Sequence, residues 1–330
     1  MSEHHGQWKY ISYVDLSNDI KKNLHKIHIG NYDLIVGVPR SGMIPAYMIA
    51  LYLNVHITDL TSFIDNKPLE KGQRLLNKPL KNPHDAKNVL LVDDTIATGS
   101  QMKINKNKIP VNLKSRITYL AVYASNDSDL IDIYLKLNGV RRLFEWNLFH
   151  REYLKNACVD IDGVLCSDPT LEQDDDNENY IDFIKNVKPI IIPSYEIHSI
   201  VTNRLEKYRS LTEEWLSKHH VRYKNLIMLN VESKKIKYET NEYINHKANY
   251  FANNDDLQIF IESNKREANQ IIKISGKPVL CIAENKMIHP GFVSIARNNP
   301  IKFYQNLKLS LKRILPNFLK KSAKKFFFKK

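Results

Sequence analysis

Cysteine is scarce in this chain: Cys158, Cys166 and Cys281 are its only three, and no two form a Cys-x-x-Cys pair. A disulfide framework and a cysteine zinc site are therefore not expected, and a reducing, cytoplasmic setting is. Glycine is also sparse, with ten among 330 residues, so a loop that concentrates it carries information. No run of about 18 apolar residues occurs, so no helix is expected to span a membrane. The opening MSEHHGQWKY has no apolar signal core, and no secretory leader is expected. Acid is missing from residues 301–330, which hold ten Lys or Arg. The whole chain carries +13, which leaves only +3 for the remainder. A body so near neutrality is not built as a nucleic-acid groove, and no specific nucleic-acid partner is expected. What is abundant is apolar residues, at 43%, enough for the buried cores of two domains.

The most informative stretch is Val89–Met102, VLLVDDTIATGSQM. Four apolar residues run into Asp93 and Asp94, and a small, hydroxyl-rich loop follows: Thr95, Ile96, Ala97, Thr98, Gly99, Ser100. Such a run fits a parallel strand buried on both faces. Its carboxyl end is where open α/β sheets bind ligands. The loop can wrap a phosphate with backbone N–H groups, and a helix starting near Gly99 adds its positive end. Acids for ribose hydroxyls beside a cradle for phosphate suit a sugar phosphate. This stretch resembles the phosphoribosyl diphosphate (PRPP) motif of type I phosphoribosyltransferases.

Upstream, Leu16, Ile20, Leu24 and Ile27 share one face of a helix expected over residues 15–29. Leu34–Val38 reads as a short strand leading into Gly37-Val38-Pro39-Arg40-Ser41-Gly42-Met43, and a helix is expected from about Ile44 to Leu53. In the resembling family the first strand ends in a loop that holds pyrophosphate, and Gly37–Gly42 looks like that loop. Arg40 would be its charged partner, because guanidinium pairs with phosphate through two hydrogen bonds. The resemblance assigns PRPP binding to Arg40, Ser41, Gly42, Asp93, Asp94, Thr95, Ala97, Thr98, Gly99 and Ser100. Residues 62–84, rich in turn formers, occupy the place of the family's mobile loop. Lys67, Lys71 and Arg74 there would reach pyrophosphate; a solvated charged loop is the alternative. A strand over Ile117–Tyr123 and a helix near Ser128–Leu137 complete the first sheet. Phe144-Glu145-Trp146-Asn147 is given only a packing role.

At Ala157 the pattern restarts. A short strand, Ala157-Cys158-Val159, is followed by Asp160-Ile161-Asp162-Gly163. Two acids at i and i+2 beyond a buried strand resemble the first motif of haloacid-dehalogenase (HAD) phosphatases. There the first Asp attacks phosphorus and the second protonates the leaving oxygen, roles that fall on Asp160 and Asp162. A carboxylate attacks a phosphate only when the charge is screened, which implies Mg²⁺. Thr202, after a strand over Ile197–Val201, matches the family's phosphoryl-binding Thr or Ser. Lys247 is chosen as the lysine that neutralises nucleophile and phosphate, with Lys234 and Lys235 as competitors. Glu262, after an apolar run from Leu257, stands where the family usually has Asp, so the metal set is Asp160, Asp162 and Glu262. Lys277–Cys281 is the expected closing strand. About forty residues separate Asp160 from Thr202, room for only a small cap. The acids Glu172, Asp174, Asp175, Asp176 and Glu178 in that insert are read as a solvated loop, or as a grip on a polyhydroxylated ligand.

The fold class expected is α/β: two Rossmann-like three-layer domains with mainly parallel sheets. A phosphoribosyltransferase-like domain takes 1–150 and a HAD-like domain takes 151–300. A basic amphipathic helical tail takes 301–330, where Leu307, Leu311, Ile314, Leu315 and Phe318 share a face among lysines. Such a tail suits an anionic membrane surface and would place the protein at the inner face of the cytoplasmic membrane; a disordered solubilising tail, or one that binds nucleic acid nonspecifically, is the alternative. The two resemblances imply one function: phosphoribosyl passes from PRPP to a hydroxyl of a glycan, possibly lipid-linked. Loss of the 5-phosphate then leaves ribofuranose in a bacterial surface polysaccharide, with Mg²⁺ at both sites. A nucleobase phosphoribosyltransferase joined to a nucleotide phosphatase is the alternative.

Overall fold

A computed structural model describes residues 8–27, 32–70, 80–125, 128–137, 139, 141–240 and 242–291. Lys71, Arg74 and the basic segment 301–330 lie outside the described residues. The chain divides into two compact units, Met1–Trp146 and Asn147–Lys330.

In the first unit the chain runs β1 (Trp8–Ile11), α1 (Tyr13–Asn23), β2 (Leu34–Gly37), α2 (Met43–Leu53), β3 (His56–Asp59) and α3 (Leu60–Ile64). It continues as β4 (Val89–Ile96), α4 (Ser100–Lys108), α5 (Val111–Lys114), β5 (Ile117–Ala124), β6 (Ile133–Leu137) and β7 (Arg141–Phe144). Helix α1 starts where Ser12 and Asp15 each accept the other's backbone N–H at 3.0 Å, a capping box. Its Leu16 and Ile20 face the core. The main sheet has the order β3-β2-β4-β5-β6, all parallel, and β1 pairs with β7 in a separate ribbon. The run Val89–Val92 is shared between two cores by strand alternation. Val89 and Leu91 pack with Phe63 and Met102, whereas Leu90 and Val92 pack with Leu16, Ile20, Ala46 and Ile49. Each such side chain contributes roughly 1.5–3 kcal/mol when fully buried. The helix expected over Ser128–Leu137 is instead β6. Ile133, Leu135 and Leu137 alternate with polar or amphipathic neighbours, a period of two, and the segment pairs in register with β5.

The second unit runs β8 (Ala157–Val159), α6 (Glu178–Asn186), β9 (Ile197–Leu205), α7 (Arg209–Lys218), β10 (Tyr223–Leu229), α8 (Lys234–Thr240) and α9 (Glu242–Ala252). It ends with β11 (Ile259–Glu262), α10 (Lys265–Ser275), β12 (Val279–Cys281) and β13 (Lys286–Ile288). The sheet order is β10-β9-β8-β11-β12-β13, parallel up to an antiparallel β13. The expected closing strand, β12, is therefore not the edge. Residues 282–285 turn the chain back and Met287 covers it with a hairpin partner. Between β8 and β9 the one helix among the described residues is α6, which buries Tyr180, Phe183 and Ile184.

Candidate active sites

Each sheet has a point where the strand order reverses, and ligand crevices form there, outside the carboxyl ends of the strands. In the first unit this point lies between β2 and β4. The loop after β2 packs against the carboxyl half of β4. Val38 N–H donates to Val92 O at 2.9 Å. A Cβ on Gly42 would meet Val38 O at 2.7 Å, Val92 O at 2.9 Å and Asp93 Cα at 3.0 Å, so only glycine lets this loop approach β4 so closely. The Pro39–Arg40 peptide is cis, and Arg40 is exposed.

Asp93 and Asp94 are both buried at the end of β4. Asp94 is held by two donors: Ser41 Oγ at 3.0 Å on Oδ1 and Trp146 Nε1 at 2.8 Å on Oδ2. Asp93 Oδ1 accepts the backbone N–H of Asp94 at 2.9 Å. Burial first, and the neighbouring Asp94 charge second, push the Asp93 carboxyl up to about 8. A site that crowds two acids this way favours cationic or hydroxyl partners. Ala97, Thr98 and Ser100 are exposed on the following loop, and Gly99, at φ +79°, turns it into α4. Thr98 Oγ1 and Ser100 Oγ share a hydrogen bond at 3.2 Å, and Thr95 Oγ1 is buried with no partner among the described residues. Arg142 braces this loop by donating to Ile96 O at 3.2 Å and Ser125 Oγ at 2.7 Å.

Trp146 and Arg142 were not legible as site residues. The Phe144–Asn147 stretch carries no motif, and only the fold brings the indole to Asp94. Its ring stacks on Phe144, with centroids 4.7 Å apart. Trp146→Phe keeps that stack and removes the donor to a charged acceptor, a bond worth about 1.5–3 kcal/mol. If Asp94 binds PRPP, titration calorimetry of this variant will show PRPP affinity falling at least tenfold; unchanged affinity would separate the indole from the site.

In the second unit the reversal lies between β8 and β11. Asp160 follows β8, Thr202 lies on β9 and Glu262 ends β11. Lys247 joins them from the middle of α9. Its ammonium donates to Asp160 Oδ2 at 2.6 Å, Glu267 Oε2 at 2.7 Å and Glu262 Oε2 at 2.9 Å. Lys247, Asp160, Glu262 and Thr202 are all buried. Burial drives the Asp160 and Glu262 carboxyls up, with Lys247 opposing. Burial also opposes the Lys247 charge, but Asp160, Glu262 and Glu267 together hold its proton well above the ordinary lysine range. The competitors go elsewhere: Lys234 pairs with Asp174 at 2.6 Å and Lys235 with Glu239 at 3.9 Å.

Asp162 is gripped by Arg204, whose Nη2 donates to Oδ1 at 2.6 Å and whose Nε donates to Oδ2 at 3.0 Å. Its carboxylate therefore stands apart from the group that brings oxygens within 4.8 Å of one another, Asp160, Glu262 and Glu267. Three hard oxygen donors against one ammonium leave excess negative charge, and that donor chemistry fits Mg²⁺. Glu267 was not anticipated; it sits one turn into α10, three residues beyond its cap Asn264. Gly163, at φ +73°, carries the chain past Ser263; a Cβ there would lie 2.5 Å from Ser263 Cβ. Asp160, Asp162, Thr202, Lys247 and Glu262 all line one cavity of about 970 Å³, with Arg204, Glu267 and Lys237. The acidic stretch is largely structural. Asp174 and Asp176 pair with Lys234 and Lys207, and Asp175 accepts the N–H groups of Asn177 and Tyr180 at the start of α6. Of that stretch, Asp174 lines the cavity.

Comparison with known proteins places the first unit. The family model described as "Phosphoribosyl transferase domain" matches residues 12–153. Over 126 residues the chain is 29% identical to the xanthine-guanine phosphoribosyltransferase of Chromohalobacter salexigens, covering 38% of this chain and 74% of that protein. It is 24% identical over 126 residues to the enzyme of the same name from Idiomarina loihiensis, covering 38% and 75%. Among solved structures, a purine phosphoribosyltransferase from Pyrococcus horikoshii aligns at 19% identity and a TM-score of 0.30, over 42% of this chain and 93% of that one. Residues 12–153 carry a type I phosphoribosyl transferase domain.

Proposed function

We propose that the chain performs two successive reactions: phosphoribosyl transfer from PRPP in the first unit, then removal of the 5-phosphate in the second. One observation carries this reading. Each unit holds its own carboxylate-centred site at the reversal point of its own sheet. In the first, Asp93 and Asp94 take the ribose hydroxyls, and the loops Gly37–Gly42 and Thr95–Ser100 take the diphosphate and the 5-phosphate. The bond from ribose C1 to the diphosphate breaks, the acceptor hydroxyl oxygen bonds C1, and its proton leaves with the diphosphate. In the second, the Asp160 carboxylate attacks phosphorus while Thr202 and Lys247 hold the phosphoryl oxygens. Arg204 holds Asp162 as a carboxylate, which orients the water whose proton passes to the departing ribose oxygen. Water then cleaves the aspartyl phosphate. Asp160, Glu262 and Glu267 would hold Mg²⁺, which when bound screens the charge between nucleophile and phosphate.

The acceptor is a hydroxyl of a glycan. Removing the 5-phosphate finishes a ribofuranosyl unit, whereas it would undo the making of a nucleotide. A second reading, a nucleobase phosphoribosyltransferase coupled to a nucleotide phosphatase, draws on the relatives, two of which are named for xanthine and guanine. Incubation with PRPP, Mg²⁺ and either glycan acceptors or free purines, read by product mass, decides between them. Gain of pentose without phosphate on the glycan supports the first reading. Consumption of purine with no glycan product would reject it.

A further inference from the structure

Six cations among the described residues line the cavity of the second unit, and two of them, Arg266 and Lys273, are exposed. Lys247 is held by three carboxylates, Arg204 by Asp162, and Lys265 by Glu284 at 2.5 Å. Lys237, on α8, is different. It is partly buried, and its ammonium donates to a backbone carbonyl, that of Asn203, at 3.2 Å. The rings of Tyr238 and Tyr243 lie 5.5 and 5.9 Å away. Among the described residues it makes no ion pair. A cation taken out of water without a counter-charge is costly, and the cost falls when an anion arrives. Burial accordingly lowers its proton affinity, with Glu267 and Asp174 acting against the shift.

Its position says which anion. Asn203 directly follows Thr202 on β9, so the ammonium sits beside the Thr202–Asn203 step and lines the same cavity as Asp160 and Lys247. The carboxylates at that point, Asp160, Asp162, Glu262 and Glu267, already outnumber the two cations they hold, Lys247 and Arg204. A phosphoryl dianion adds further negative charge, and a divalent cation offsets only part of the total. We propose that Lys237 is a second phosphate-binding cation of this unit, placing its ammonium on a phosphoryl oxygen beside Thr202. For a phosphomonoester this rests on the phosphatase reading above; for inorganic phosphate it does not.

The test is calorimetric titration of inorganic phosphate, with Mg²⁺ present, into the full chain and three variants. Lys237→Met should bind phosphate at least tenfold more weakly than wild type. Lys237→Arg should stay within about threefold, because it restores the charge. Lys235→Met, on the exposed side of the same helix, should match wild type. The melting temperature of Lys237→Met should stay close to wild type, since no ion pair is broken. Phosphate binding that is absent in wild type, or unchanged in Lys237→Met, overturns the proposal. Hydrolysis of ribose 5-phosphate by wild type keeps the two ideas apart. No hydrolysis with Lys237-dependent phosphate binding rejects the phosphatase reading alone. Hydrolysis with Lys237-independent binding rejects the Lys237 proposal alone.

Discussion

Replacing Lys247 by Met is expected to destabilise the second unit by about 3–5 kcal/mol at neutral pH. The side chain is 3% exposed and its ammonium is the shared partner of Asp160, Glu262 and Glu267. Removing it leaves buried carboxylates facing one another with no ammonium between them. For a unit of this size each kcal/mol moves the melting temperature by roughly 2–4 °C, so a fall of roughly 6–20 °C follows. The loss has a defined pH dependence. Asp160 and Glu262 already hold their protons more tightly folded than unfolded, because of burial. Without Lys247 to oppose it, that upward shift grows. A carboxyl raised on folding contributes stability at pH values below its unfolded pKa and loses it as pH rises through the folded value. The gap between variant and wild type should therefore widen from about pH 5 to pH 8. Calorimetric melts at several pH values check this. A variant that melts with wild type at pH 8 would mean that the three carboxylates do not depend on Lys247.

Much of this was legible because two kinds of signal act locally. Buried parallel strands such as Val89–Val92 are apolar on both faces, so they stand out as runs, and the acids that end them mark the carboxyl edge of a sheet. Asp93, Asp94, Asp160 and Glu262 were found this way. Residues brought in by tertiary structure were not. Trp146 reaches Asp94 across 52 positions, Arg204 reaches Asp162 across 42, and Lys237 reaches Asn203 across 34. None belongs to a local pattern. Glu267 was missed because a glutamate in the first turn of a helix reads as a response to the helix dipole. The sequence over Ile133–Leu137 does not declare a strand, because its apolar residues are few and its alternation short. Pairing with β5 decides its conformation.

The claim that two separate sites act in series is tested most directly by Asp160→Asn. The side chain is near-isosteric, but an amide is not a competent nucleophile toward phosphorus. Loss of a nucleophile typically costs on the order of 10³-fold or more in kcat. The substitution lies in the second unit, whereas Asp93, Asp94 and the loop Thr95–Ser100 lie in the first. Transfer from PRPP should therefore continue at the wild-type rate. With PRPP, Mg²⁺ and the acceptor that wild type uses, mass spectrometry should show the product heavier by a phosphoribosyl unit and retaining its phosphate. Wild type should yield the pentosyl product, lighter by that phosphate. A folded Asp160→Asn protein that still releases phosphate, or that loses transfer as well, would contradict the account.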